Sequence, residues 1–132
     1  MHSLIITAHP RASGFTHRIA ESYQKKQISL GHTVELIDLC HPDNAQSYAE
    51  FVDESHLIED ESTKRMQEKI SKADELVWIF PVWWMDAPAI MKNFWDRNFT
   101  SDFAFRYLTG GKVEKLISEK TNKVNATAGG PG

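Results

Sequence analysis

The chain has 132 residues, 41% hydrophobic and 25% charged, with one cysteine and a net charge of −3 when histidine is neutral; this is the size and make-up of one globular domain. So mild an acidity, with neither basic arm nor acidic tail, argues against nucleic acid as a partner. No apolar run reaches membrane-spanning length, the N-terminus enters a strand without a signal-type segment, and the single Cys40 rules out an internal disulfide, so a cytoplasmic protein with no membrane insertion is expected.

Ser3-Leu4-Ile5-Ile6-Thr7-Ala8 reads as a short buried strand. His9-Pro10-Arg11-Ala12-Ser13-Gly14-Phe15-Thr16 follows as a loop of proline, glycine and small hydroxyls, and opens a helix over residues 15–30 that carries Ile19, Ala20 and Tyr23 on one face and stops at Gly31. A strand, a tight loop and a helix N-terminus make an anion site, because backbone N–H groups converge there and the helix dipole favours negative charge. Arg11 and Arg18 add positive charge nearby. The loop is neither a Walker A sequence nor Gly-x-Gly-x-x-Gly, which disfavours a P-loop NTPase and a nicotinamide-binding Rossmann domain. Ser13 reads equally well as a plain helix cap.

Residues 33–39 form a second strand and complete a βαβ unit. The connection over residues 40–60 is polar and acidic, with Phe51, Val52, Leu57 and Ile58 as apolar anchors; loops of that length carry function or make a contact. His32, His41 and His56 stand in no ligand spacing, and no metal site is expected. A helix over residues 62–73 buries Met66, Ile70 and Ala73 and turns its lysines and glutamates to solvent.

Leu76 to Phe80 is wholly apolar and reads as a buried central strand stopped by Pro81, which lacks the N–H that a ladder needs. Pro88 suits the first position of the next helix, with Asp86 or Ala87 near its cap, and Ile90, Met91, Phe94, Trp95 and Phe99 form its apolar face. Between the two prolines, Trp83 and Trp84 cannot both enter one core from a loop. In an open α/β sheet this loop lies at the carboxyl edge, where ligands bind. The tryptophans either offer stacking surface to a flat cofactor or cover the sheet edge or a dimer contact. Residues 97–112 hold Phe99, Phe103, Phe105 and Tyr107, too many aromatics for a solvated loop. A short helical turn is expected over residues 113–118 and a fourth strand over residues 122–128, with Val124, Ala126 and Ala128 on one face. The strand runs into Thr127-Ala128-Gly129-Gly130, where glycine lets backbone approach a ligand closely.

Three segments, Ala8 to Thr16, Phe80 to Lys92 with its helix through Arg97, and Thr127 to Gly130, together resemble the flavodoxin-like NAD(P)H:quinone oxidoreductases. That family includes DT-diaphorase, modulators of drug activity and ancillary proteins of potassium-efflux systems. The central segment, continuing to Phe103-Ala104-Phe105-Arg106-Tyr107, is the specific one. The resemblance implies one α/β flavodoxin-like domain over residues 1–132, with a doubly wound parallel sheet of four strands in the order 2-1-3-4. The fifth strand and last helices of the fold are missing from that count, so the domain is expected to be incomplete at its C-terminus.

The same resemblance implies a bound flavin, FMN or FAD, with NAD(P)H as electron donor. His9, Arg11, Ser13, Phe15 and Thr16 would lie at its phosphate or pyrophosphate. Backbone groups of Pro81, Val82, Trp83, Trp84 and Met85 would meet the isoalloxazine, and Thr127, Ala128, Gly129 and Gly130 would flank it. The pocket would form between the subunits of a homodimer, Phe105 and Tyr107 closing it from the partner chain, and Trp84 and Met85 would be the platform for nicotinamide and quinone in turn. Two electrons would pass by a ping-pong hydride mechanism. The family's tyrosine and histidine that assist hydride transfer lie beyond Gly132, so no residue here takes those catalytic roles. A regulatory subunit of a potassium-efflux system and an inactive fragment of the enzyme are the alternatives. An acidic electron carrier is disfavoured by Arg11, Arg97 and Arg106 near the expected site.

Overall fold

A computed structural model describes residues 1–10, 14–53, 57–117 and 119–127, the side chain of Tyr107 excepted. Its elements are β1 (His2–Thr7), α1 (Phe15–Ser29), β2 (Thr33–Asp38), α2 (Glu61–Lys72), β3 (Glu75–Pro81), α3 (Ala89–Asn98), β4 (Phe105–Tyr107), β5 (Val113–Lys115) and β6 (Thr121–Thr127). Four strands pair in parallel in the order β2-β1-β3-β6. This is the expected order, β6 being the fourth strand anticipated from the sequence. Because all four run one way, their carboxyl ends share one edge of the sheet, where the long loops leave it.

Alternation along the strands divides the core in two. Ile5, Val77 and Ile79 face α1 and pack with Ala20, Ile19 and Tyr23. Leu4, Ile6, Leu76, Trp78 and Phe80 face the other way, against Met66 and Ile70 of α2 and Met91 and Phe94 of α3. All seven residues of β3 are buried, as a central strand covered on both sides requires. Trp78 is the hub of an aromatic cluster, edge-on to Phe94 at 5.9 Å and to Trp95 at 5.7 Å. Helix ends follow local chemistry: Asp60 Oδ1 accepts the Thr63 N–H at 3.1 Å to start α2, and Gly31, at φ 84°, lets the chain turn back onto the last carbonyls of α1.

Several expectations are corrected. β3 continues through Pro81, which stands opposite Thr127 in the register; at the last position the ladder bond is made instead by the Val82 N–H, to the Thr127 carbonyl at 2.8 Å. Residues 113–118 do not begin as a helical turn. Gly110 and Gly111, both at positive φ, reverse the chain and pair β5 antiparallel to β4. The N-cap of α3 is Pro88, without a side-chain cap, rather than Asp86 or Ala87. The face of α3 is also less apolar than its spacing suggests, for Asn93, Arg97 and Asn98 are buried. They hold the long connection after β2: the Gln46 and Asn98 amides exchange hydrogen bonds of 2.9 and 3.0 Å, and Arg97 reaches Asp60 at 3.0 Å. Hydrogen bonds from Ser62 and the Thr63 N–H, with Arg97 beside it, hold the Asp60 carboxyl well below its usual range. Arg97 thus serves the packing of α2 on α3 and is not at the expected site.

Candidate functional site at the carboxyl edge

At the end of β1, the Ala8 N–H donates to the Ile79 carbonyl at 3.2 Å and the Leu39 N–H to the Thr7 carbonyl at 2.9 Å, so the loop leaves from a fixed point between β2 and β3. His9 is half-buried and its ring meets Trp83 edge-on, with centroids 6.2 Å apart. His17, near the start of α1 and only 8% exposed, places Nε2 3.2 Å from the His9 carbonyl oxygen. Thr16 is buried and Phe15 exposed, with the Arg18 guanidinium 5.9 Å over the Phe15 ring.

The N-cap of α1 is Gly14, in extended conformation, with no side-chain cap and no acidic residue in the first turn. Among the described residues no side chain caps the first N–H groups of this helix, and its first turn holds no carboxylate to oppose an anion. Thr7 is fully buried on β1, and its Oγ1 has no hydrogen-bond partner among the described residues. A buried hydroxyl without a partner is costly unless something else supplies one. The N–H groups at the start of α1 are a donor set that fits a phosphate group. Arg11 and Ser13 lie outside the described residues.

The second loop follows β3. Trp83 and Asp86 exchange backbone hydrogen bonds, N to O at 2.8 Å and 3.0 Å, around Trp84 and Met85 at φ 51° and 61°. Two central residues at positive φ make this a type I′ turn, which asparagine and glycine favour and bulky side chains resist. Trp84 is 86% exposed and Met85 94% exposed. The turn thus holds two large apolar side chains in solvent at a conformational cost. Asp86 steadies its base: Oδ1 accepts the Ala87 N–H at 2.7 Å and Oδ2 lies 2.9 Å from Lys92 Nζ. The Lys92 hydrogen bond, with the Ala87 N–H, lowers the Asp86 carboxyl below its ordinary value.

Through the bond from Val82 to Thr127, this loop is tied to the end of β6. The structure therefore brings His9, Phe15, Thr16, Pro81, Val82, Trp83, Trp84, Met85 and Thr127 to one edge. Ala128, Gly129 and Gly130 lie outside the described residues. Phe105 is half-buried in β4, and the backbone of Tyr107 lies in the same strand. Arg106 is engaged at 2.6 Å by Glu114 across the hairpin. Burial, with the Asp38 charge, raises the Cys40 thiol, which keeps it protonated and a poor nucleophile.

Sequence reasoning passed over Thr7, His17 and the Asp86–Lys92 pair. Thr7 was legible as a hydroxyl on the inward side of an apolar strand. His17 carried no signal beyond its nearness to the loop.

A family profile described as flavodoxin-like fold matches residues 1–132. An uncharacterised NAD(P)H oxidoreductase of Haemophilus influenzae is 30% identical over 123 residues, 91% of this chain and 61% of that protein. NAD(P)H dehydrogenase (quinone) 1 of Cavia porcellus is 31% identical over 126 residues, 80% of this chain and 45% of the relative. Among solved structures, an NAD(P)H:quinone oxidoreductase from Methanothermobacter marburgensis superposes with a TM-score of 0.82 at 30% identity, covering 98% of this chain and 67% of the other. The chain thus spans about half to three fifths of the length of these two curated relatives.

Proposed function

This chain belongs to the flavodoxin-like fold family, and from that premise we propose that it is a flavin-dependent NAD(P)H oxidoreductase that passes two electrons to a quinone. The observation that carries the reading is the joining of two loops and the end of β6 at one sheet edge. The Trp83 ring meets His9, and its neighbour Val82 is bonded to Thr127, beside a helix N-terminus whose N-cap is Gly14.

A flavin nucleotide, FMN or FAD, would supply the two-electron redox chemistry between NAD(P)H and the acceptor, in the ping-pong order proposed here. His9, Phe15 and Thr16 hold its phosphate end, with Arg11 and Ser13 as the sequence reads them. Backbone groups of Pro81, Val82, Trp83, Trp84 and Met85 orient the ring, and Thr127 with Ala128, Gly129 and Gly130 borders it. Trp84 and Met85, standing in solvent, are the surface on which nicotinamide and quinone stack in turn, excluding water from the reacting face. A second copy of the chain completes the pocket with Phe105 and Tyr107, so the working form is a homodimer. A reduced nicotinamide donor and a lone free thiol, Cys40, suit the cytoplasm.

Absorbance spectroscopy tests this. Protein supplied with FMN or FAD is expected to carry an oxidised flavin spectrum that bleaches under anaerobic NADPH and returns on adding a quinone. A chain that takes up neither flavin overturns the reading.

A further inference from the structure

We infer that Asp86 and Lys92 are positioning residues for the electron acceptor: their ion pair holds the Trp84–Met85 turn in the conformation that presents its side chains. The inference rests on the flavin reading above and deepens it. Trp84 and Met85 stand at φ 51° and 61°, a region that is costly for any residue with a side chain. Both side chains are exposed, so core packing does not hold them there. The ties that hold the turn lie at its base. Trp83 and Asp86 exchange backbone hydrogen bonds. Asp86 also engages both carboxylate oxygens: Oδ1 accepts the Ala87 N–H at 2.7 Å, and Oδ2 lies 2.9 Å from Lys92 Nζ.

Lys92 is the fourth residue of α3, where its own helix does not favour it. A cation in the first turn opposes the helix dipole, and the first turn of α3 holds no acidic residue. Asp86 supplies the compensating charge from outside the helix. The pair thereby ties the exit of the turn to a helix that is anchored by the buried Met91 and Phe94. Asp96 also acts on the Lys92 charge, but it belongs to α3 and cannot tether the turn. Val82 and Trp83 are held separately, through the Thr127 carbonyl and the His9 ring. Loss of the pair therefore frees the tip of the loop and leaves its first residues in place. A platform that is in its presenting conformation for only part of the time binds more weakly by that fraction.

The test uses the FMN-loaded protein with saturating NADPH and an uncharged quinone. Lys92→Met keeps the stem without the charge, and Lys92→Arg keeps the charge. Asp86→Asn keeps an acceptor for the Ala87 N–H, and Asp86→Ala removes both contacts. Lys92→Met and Asp86→Asn are each expected to raise the quinone KM about threefold, the size of one half-exposed ion pair. Asp86→Ala, which also loses the Ala87 bond, should raise it about tenfold. The double variant Asp86→Asn with Lys92→Met should stay near about threefold, because the two substitutions break one pair. Lys92→Arg should stay within about twofold of the parent, and kcat and FMN affinity should do so in every variant. Lys92→Met carries the test if Asp86→Ala does not fold. An unchanged KM in Lys92→Met, multiplied losses in the double variant, no rescue by Lys92→Arg, or FMN affinity falling in step with KM overturns the proposal and leaves the flavin reading intact. A parent that binds no flavin or reduces no quinone overturns both.

Discussion

The two edges of the parallel sheet are finished in opposite ways. At the amino edge, Glu75 is 1% exposed and its carboxylate is fully engaged. Ser3 Oγ and Tyr23 OH each donate to it at 2.7 Å, and Lys123 Nζ lies 3.1 Å away. Gln27 donates in turn to Tyr23 and is met by His32. The network ties α1, β1, β3 and the edge strand β6 together. Among the described residues of the carboxyl edge a hydroxyl has no partner and no side chain caps the start of α1, and a bulky turn sits at positive φ. β1 shows the contrast within one strand. Ser3 and Thr7 share a face and are both fully buried; the first is bonded, and the second has no partner among the described residues. Buried polar groups are cheapest when they are paired, so an orphaned hydroxyl at one end of a strand marks a difference between the two edges.

The largest effect is expected at the amino edge. Glu75→Ala leaves two hydroxyls and an ammonium without their acceptor and should cost about 3 kcal/mol in urea unfolding, Lys123 recovering some hydration because it is half-exposed. The folded fraction should bind FMN as the parent does; weakened binding would show that the two edges are not independent. The acid limb gives the same contrast by pH. Burial raises the Glu75 carboxyl, but the hydrogen bonds of Ser3, Tyr23 and Lys123 and the Lys123 charge outweigh it and leave it below its ordinary value. A depressed folded value means that the network stabilises above the unfolded carboxyl value of about 4.3 and loses this as pH falls through the folded one. Glu75→Gln should therefore flatten the acid slope of stability, which an unfolding series at falling pH would reveal.

The paired hydroxyls on β1 sharpen the comparison within one element. Ser3→Ala removes a donor from a buried carboxylate and should cost about 1.5 kcal/mol. Thr7→Val keeps the shape and removes a hydroxyl without a partner among the described residues, so it should stabilise the ligand-free chain by about 1 kcal/mol. A loss on Thr7→Val would mean that the hydroxyl is already satisfied, and the distinction between the edges would fail at that point.

The sheet was legible because burial on both faces leaves unbroken apolar runs such as Leu76 to Phe80, and the end of the first helix because Gly31 marks it; Asp60, which caps α2, went unread. The β4–β5 hairpin is hidden because a glycine pair such as Gly110-Gly111 suits any loop, and only the fold shows the positive φ that makes it a tight reversal. Arg97 was misplaced for another reason. A cation on an amphipathic helix is read as exposed, and nothing local reveals that Asp60, 37 positions earlier in the chain, returns to meet it. At the carboxyl edge the loop of Trp83 to Met85 was recognisable from composition and place. Its backbone was not, since no propensity puts tryptophan and methionine together at positive φ.

That turn gives the smallest stability effect and the sharpest separation of folding from function. A side chain in the left-handed region costs about 1 kcal/mol, and glycine there avoids the clash while adding a comparable entropy to the unfolded chain. Met85 is 94% exposed, so little packing is lost with it. Met85→Gly should therefore change unfolding free energy by no more than about 0.5 kcal/mol. The ring-binding role assigned to this loop belongs to its backbone, which glycine preserves, so FMN affinity should hold. The platform for the acceptor belongs to the side chain, so the KM for a quinone should rise several-fold. If Met85→Gly instead lowers stability by more than about 1 kcal/mol, Met85 contributes to the fold. The strained turn would then be part of the scaffold, and the carboxyl edge would resemble the amino edge more closely than its open hydroxyl suggests.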